Sequence, residues 1–147
     1  MAEVSIRFGG TGGDHLTLTV HGRNIPEATD FWHGNFLWCT AEVVAGDFRG
    51  SVGSPLRNED LIRFLSQLEH LDQEPDGKAL FDTLDGWLDV WVEIVGEQVE
   101  VRGSLCDGPI ECNQLEFRLR FERTFLSSLI AQVRAAVEAY PVIGHPN

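Results

Sequence analysis

The sequence predicts an α+β fold in one domain: a largely antiparallel sheet of seven to eight strands with two helices, at about 58–72 and 124–139. Three observations predict it. Most of the chain reads as short runs in which apolar and polar residues alternate, the period of a strand with one buried face. Only two segments carry a helical period. The strand runs follow one another through short glycine-containing turns rather than alternating with helices, which is the antiparallel pattern. A length of 147 residues fits one domain and needs no metal or disulfide to hold a core.

The elements follow in order. In residues 4–8, Val4, Ile6 and Phe8 point one way and Ser5 and Arg7 the other. The loop Gly9-Gly10-Thr11-Gly12-Gly13-Asp14 leads back into Leu16, Leu18 and Val20, so the pair reads as a hairpin. That loop opens into a strand rather than a helix, so it is a hairpin connection and not a phosphate cradle. A connection over 21–34 precedes a third strand at about 35–45 and a short fourth at about 47–52, turning near Gly46-Asp47. Asn58 reads as the N-cap of the first helix, Glu59 and Asp60 favour its positive end, and Leu61, Phe64, Leu65, Leu68 and Leu71 form its apolar stripe. Strands follow at about 78–83, 86–95, 97–105 and 113–122. The last helix begins near Thr124, turns Phe125, Leu126, Leu129, Ile130, Val133 and Val137 inward, and stops at Pro141. No internal repeat is legible.

Two registers can be read. A two-residue turn at Gly96-Glu97 pairs Val95 with Gln98, which sets Leu88 against Leu105, Trp91 against Arg102 and Glu93 against Glu100. For the next pair, Cys106 opposite Cys112 would place Glu100 against Arg118 and Arg102 against Glu116, solving charge and burial together. A disulfide is then geometrically allowed. The plainer reading is reduced thiols, because three cysteines is an odd and low count that suits a reducing cytoplasm. Cys39 reads as a small core residue.

Charge limits the functional classes. With 11 Lys+Arg against 23 Asp+Glu, the formal charge is −12, which disfavours nucleic-acid and anionic-membrane partners and favours a basic protein. Residues 59–93 hold ten acids and two bases, so a net of −8 sits in one segment. No apolar run is long enough to span a membrane. No nucleophile elbow and no zinc-type spacing of Cys and His is present, so no enzyme, metal or cofactor is expected. The candidate contact surface is Glu74, Asp76, Asp82, Asp85, Trp87, Asp89, Trp91 and Glu93, an acidic segment with a tryptophan strip. A carbohydrate or small-ligand site remains an alternative on the same strip, provided Trp87, Asp89, Trp91 and Glu93 converge in a pocket. A self-associating structural domain is the other alternative.

Three stretches carry a resemblance. They are Phe48-Arg49-Gly50-Ser51 with Leu56 to Leu68, Gly77 to Leu88, and Asn113 to Phe117 with Arg123-Thr124-Phe125-Leu126. Together they resemble the small bacterial proteins grouped as WapI-type immunity proteins, with Asp85 and Glu122 as charge-preserving departures. The resemblance implies a cytoplasmic, non-enzymatic protein that neutralises a toxin domain, typically a nuclease. It carries over no functional residues.

Overall fold

The computed structural model describes residues 3–10 and 12–146, so Thr11 of the first loop lies outside it. The elements are β1 (Val4–Phe8), β2 (His15–Arg23), α1 (Phe31–Gly34), β3 (Phe36–Ala45), β4 (Phe48–Arg57), α2 (Asn58–Gln73), β5 (Lys78–Asp82), β6 (Leu88–Val95), β7 (Gln98–Cys106), β8 (Gln114–Glu122) and α3 (Leu126–Ala139). A 3₁₀ turn at Arg123–Phe125 leads into α3. The α+β class and the two long helices are as the periodicity predicts.

The expected single sheet is instead two, each of four antiparallel strands, in the orders β1-β2-β3-β4 and β5-β6-β7-β8. Alternation reveals which residues face inward, but not which strands are neighbours. Each sheet has one apolar face, and stacking both faces with the helices covers them in one core. Phe64 of α2 joins the halves, with its ring centroid 6.0 Å from Phe8 of β1 and 5.3 Å from Phe81 of β5. The fourth strand runs on to Arg57 through Pro55, which is tolerated because β4 is a sheet edge.

The two helices are exchanged between the sheets. α2 follows the first sheet but packs on β5, and α3 follows the second but packs on β1. Each helix also covers an open strand edge: the Gln67 side-chain oxygen accepts from the Leu80 backbone N–H at 2.8 Å, and Gln132 does the same for Arg7 at 2.8 Å. The buried positions correspond at the same spacing about these glutamines, Leu61, Phe64, Leu68 and Leu71 in α2 with Leu126, Leu129, Val133 and Ala136 in α3. The chain therefore repeats a four-strand-plus-helix unit. The repeat is invisible as sequence because it survives only as apolar spacing and one glutamine.

The register of β6 on β7 is as read from the turn, with Val95 opposite Gln98 and Leu88 opposite Leu105. The register of β7 on β8 is not: Glu100 pairs with Arg120, Arg102 with Arg118, and Cys106 with Gln114. The slip is by two residues, so it keeps the same side chains inward and alternation cannot detect it. Packing decides it. Gly103 faces Phe117, and a Cβ on Gly103 would stand 2.5 Å from the Phe117 ring and 2.6 Å from the Asp89 carbonyl oxygen, so the ring fits only opposite this glycine. The facing arginines are tolerated because Glu100 lies between cations, 2.8 Å from Arg102 and 3.1 Å from Arg120. The hydrogen bond from Arg102 foremost holds the Glu100 carboxyl below its usual range.

Cys112 falls in the loop before β8, and both it and Cys106 are free thiols. The Cys106 thiol is pushed up to about 11, first by its hydrogen bond with Cys112. Cys39 is fully buried, and burial pushes its thiol up to about 12.

Asn58 is not the helix cap but the first residue of α2, and it is 1 % exposed. Its amide is used elsewhere, donating to the Asn35 side-chain oxygen and to the Tyr140 carbonyl, each at 3.1 Å. Arg57 takes the cap position, and the Asp60 carboxylate accepts from its backbone N–H at 3.0 Å. Buried Asn35 completes the junction. Its amide donates to Phe31 and Ile143 carbonyls at 2.8 and 2.9 Å, and its oxygen also accepts from the Ile143 N–H at 2.9 Å.

Candidate functional site

The outward side chains of β5, β6 and β7 form the face on which half of the sequence-predicted residues, Asp82, Asp89, Trp91 and Glu93, meet. Three cross-strand rungs run along β5 and β6. Lys78 faces Glu93, Leu80 faces Trp91, and Asp82 faces Asp89. Opposite charges, two apolar groups and two like charges thus follow in succession. Leu80 and Trp91 are each 43 % exposed, a contiguous apolar pair on an otherwise charged face. The Lys78 ammonium lies 4.5 Å from the Trp91 ring centroid.

A concavity of about 440 Å³ opens beside this pair, lined by Leu80, Asp82, Asp89, Trp91, Arg63 of α2 and Arg102 of β7, among others. Burial, and then the Asp82 charge, raise the Asp89 carboxyl above its usual range. The cations at the rim have carboxylates of their own. Arg63 is 3.0 Å from Asp60 and 3.7 Å from Asp82, and Arg102 is 2.8 Å from Glu100. Among the described residues Asp89 makes no ion pair.

The other predicted residues are placed differently. Glu74 and Asp76 are exposed in the connection between α2 and β5, and Asp85 is exposed in the turn before β6. Trp87 leaves the strip altogether. It is 4 % exposed, and its indole N–H donates to the Pro55 carbonyl at 2.9 Å, packing the second sheet against the edge of the first. The four-residue convergence that a sugar site requires is therefore absent, because Trp87 precedes β6 and is buried against Pro55, and neither it nor Glu93 lines the concavity beside Trp91. Sequence reading missed Leu80 and Arg63 as neighbours of the concavity, whereas the β6–β7 turn had already set Arg102 against Trp91. Leu80 had a signal: in Lys78-Ala79-Leu80-Phe81-Asp82 it is the one apolar residue on the charged phase. Arg63 had none, since only the assembled helix and sheet bring it there.

Among the described residues, no group of three or more His, Cys, Asp or Glu side chains could hold a metal ion. No helix among them is long and apolar enough to cross a membrane. His21 is bound to Glu3 and Thr40, and His15 to Glu42, so the β2 histidines are held in separate surface pairs.

Fold and face together describe a small α+β protein presenting charged and aromatic side chains on one sheet. Residues 7–141 match the immunity protein WapI-like family, and the chain belongs to that family. Membership supports an immunity-protein role, with a cognate toxin as partner, and proteins of such a family are generally not enzymes. Comparison with curated proteins gives no significant match.

Proposed function

We propose that this protein acts in the cytoplasm as the non-enzymatic antidote to a nuclease toxin domain of net positive charge, and covers it with the acidic surface between α2 and β6. The carrying observation is that Glu74, Asp76, Asp82, Asp85 and Asp89 are all exposed within a segment of net charge −8, beside half-exposed Trp91. A nuclease meets phosphate with clustered Lys and Arg, and an anionic protein face competes for the same groups. Such a surface speeds encounter at long range, while an aromatic anchor slows dissociation.

The test is association with the toxin domain encoded beside the gene, followed at several salt concentrations. The association rate is expected to fall about tenfold between low and high salt, with a much smaller change in the dissociation rate. Charge-neutralising Glu74→Gln with Asp76→Asn should lower the association rate at low salt and leave the fold intact, as seen by circular dichroism. Failure of the unmodified protein to bind or inhibit the toxin would sink the proposal.

A further inference from the structure

We propose that the concavity beside Trp91 is the socket for an arginine side chain of the partner, with the guanidinium plane against Trp91, the stem along Leu80, and the N–H groups on Asp82 and Asp89. This rests on the function proposed above and names the anchor within it.

Four features of the site lead there. The face is concave at this point, with a volume of about 440 Å³ and apolar walls. Its walls include Leu80 and Trp91, paired in register and each 43 % exposed, which leaves apolar area open to solvent. The next rung sets Asp82 directly against Asp89, an arrangement unfavourable in the free protein. The cations within reach are already engaged: Arg63 with Asp60 at 3.0 Å and Asp82 at 3.7 Å, Arg102 with Glu100, and Lys78 with the Trp91 ring, so that Asp89 is the carboxylate left without an ion pair among the described residues. Ser104 of β7, opposite Asp89, carries no charge. The concavity therefore offers an aromatic ring and a pair of facing carboxylates of which one, Asp89, has no cation of its own.

Among side chains, a guanidinium answers that combination best. Its planar fork can bond two carboxylates at once, and its face stacks on an indole. A lysine ammonium is a compact, strongly hydrated charge and uses the apolar walls less well. A carboxylate or phosphate ligand would have to displace Arg63 or Arg102 from existing partners and would meet Asp89 uncompensated.

The full-length protein is titrated with N-acetyl-arginine amide, and with N-acetyl-citrulline amide as its neutral counterpart. The Trp91 indole N–H, assigned through Trp91→Phe, is followed by NMR. Arginine amide is expected to shift that signal saturably and citrulline amide to leave it unmoved. Asp89→Asn is expected to weaken the arginine response at least tenfold, while Glu138→Gln, exposed on α3, leaves it unchanged. The response should also fade as pH drops through the raised Asp89 range, because protonation removes the acceptor charge. Asp82→Asn serves as a second variant, and both are checked for native circular dichroism. An unmoved Trp91 signal, an equal response to citrulline, or a response in both Asp variants as strong as in the unmodified protein overturns the socket. Toxin binding is measured separately: if the unmodified protein does not bind toxin, the proposed function fails whatever arginine does. If toxin binds but Asp89→Asn binds it equally well, the socket alone fails.

Discussion

Phe64→Ala is expected to cost about 3–5 kcal/mol of stability, the range for emptying an aromatic site in a packed core. The ring is 1 % exposed and is the point at which both sheets touch α2, through Phe8 at 6.0 Å and Phe81 at 5.3 Å. A domain of this size has roughly 5–15 kcal/mol in total, so the variant would sit near the limit of folding. The denaturation midpoint in urea should fall steeply. Because Phe64 joins the halves, near-ultraviolet and far-ultraviolet dichroism should no longer report one common transition. A single, barely shifted transition would show that the halves cohere without this ring.

Asn35→Ala is the second large effect, expected to cost about 3 kcal/mol, since each hydrogen bond is worth roughly 1 kcal/mol net and buried partners left unpaired cost more. The Asn35 side chain makes four bonds that tie α1, the start of α2 and the segment after α3. Asn35→Asp is the sharper probe. It keeps the acceptor for Asn58 and Ile143 but turns an acceptor toward two carbonyls, so it should destabilise at least as much at neutral pH. Hydrogen exchange should then rise first at the Ile143 N–H and in the first turn of α2. Unchanged protection there would remove the junction from the list of things holding the segment in place.

Much of this was legible in the chain, for physical reasons that vary by element. Strands and helices announced themselves because a buried face imposes a period. The β6–β7 register was legible because a two-residue turn with glycine first, Gly96 at φ +63°, leaves one pairing. The β7–β8 register was not. Its longer loop allows slips of two, and the deciding contact, Gly103 beneath Phe117, exists only once the strands are paired. Asn58 misled because its side chain suits a helix cap, yet its amide serves Asn35 and Tyr140, distant in sequence. The acids of the candidate face were readable as charge, and Trp91 as an anchor. Trp87 was not separable from it, since its Pro55 partner lies on the other sheet.

The exchanged helices give the molecule the logic of a domain-swapped dimer written into one chain. Each four-strand unit ends in a helix whose apolar stripe packs chiefly on the other unit, so neither has a complete core by itself. Cutting the connection at 74–77 should leave the two fragments associated through those reciprocal helices. Separated, each should lose its cooperative transition, and mixing should restore it. A fragment that folds alone would show that the exchange is decoration rather than the means by which the halves hold each other.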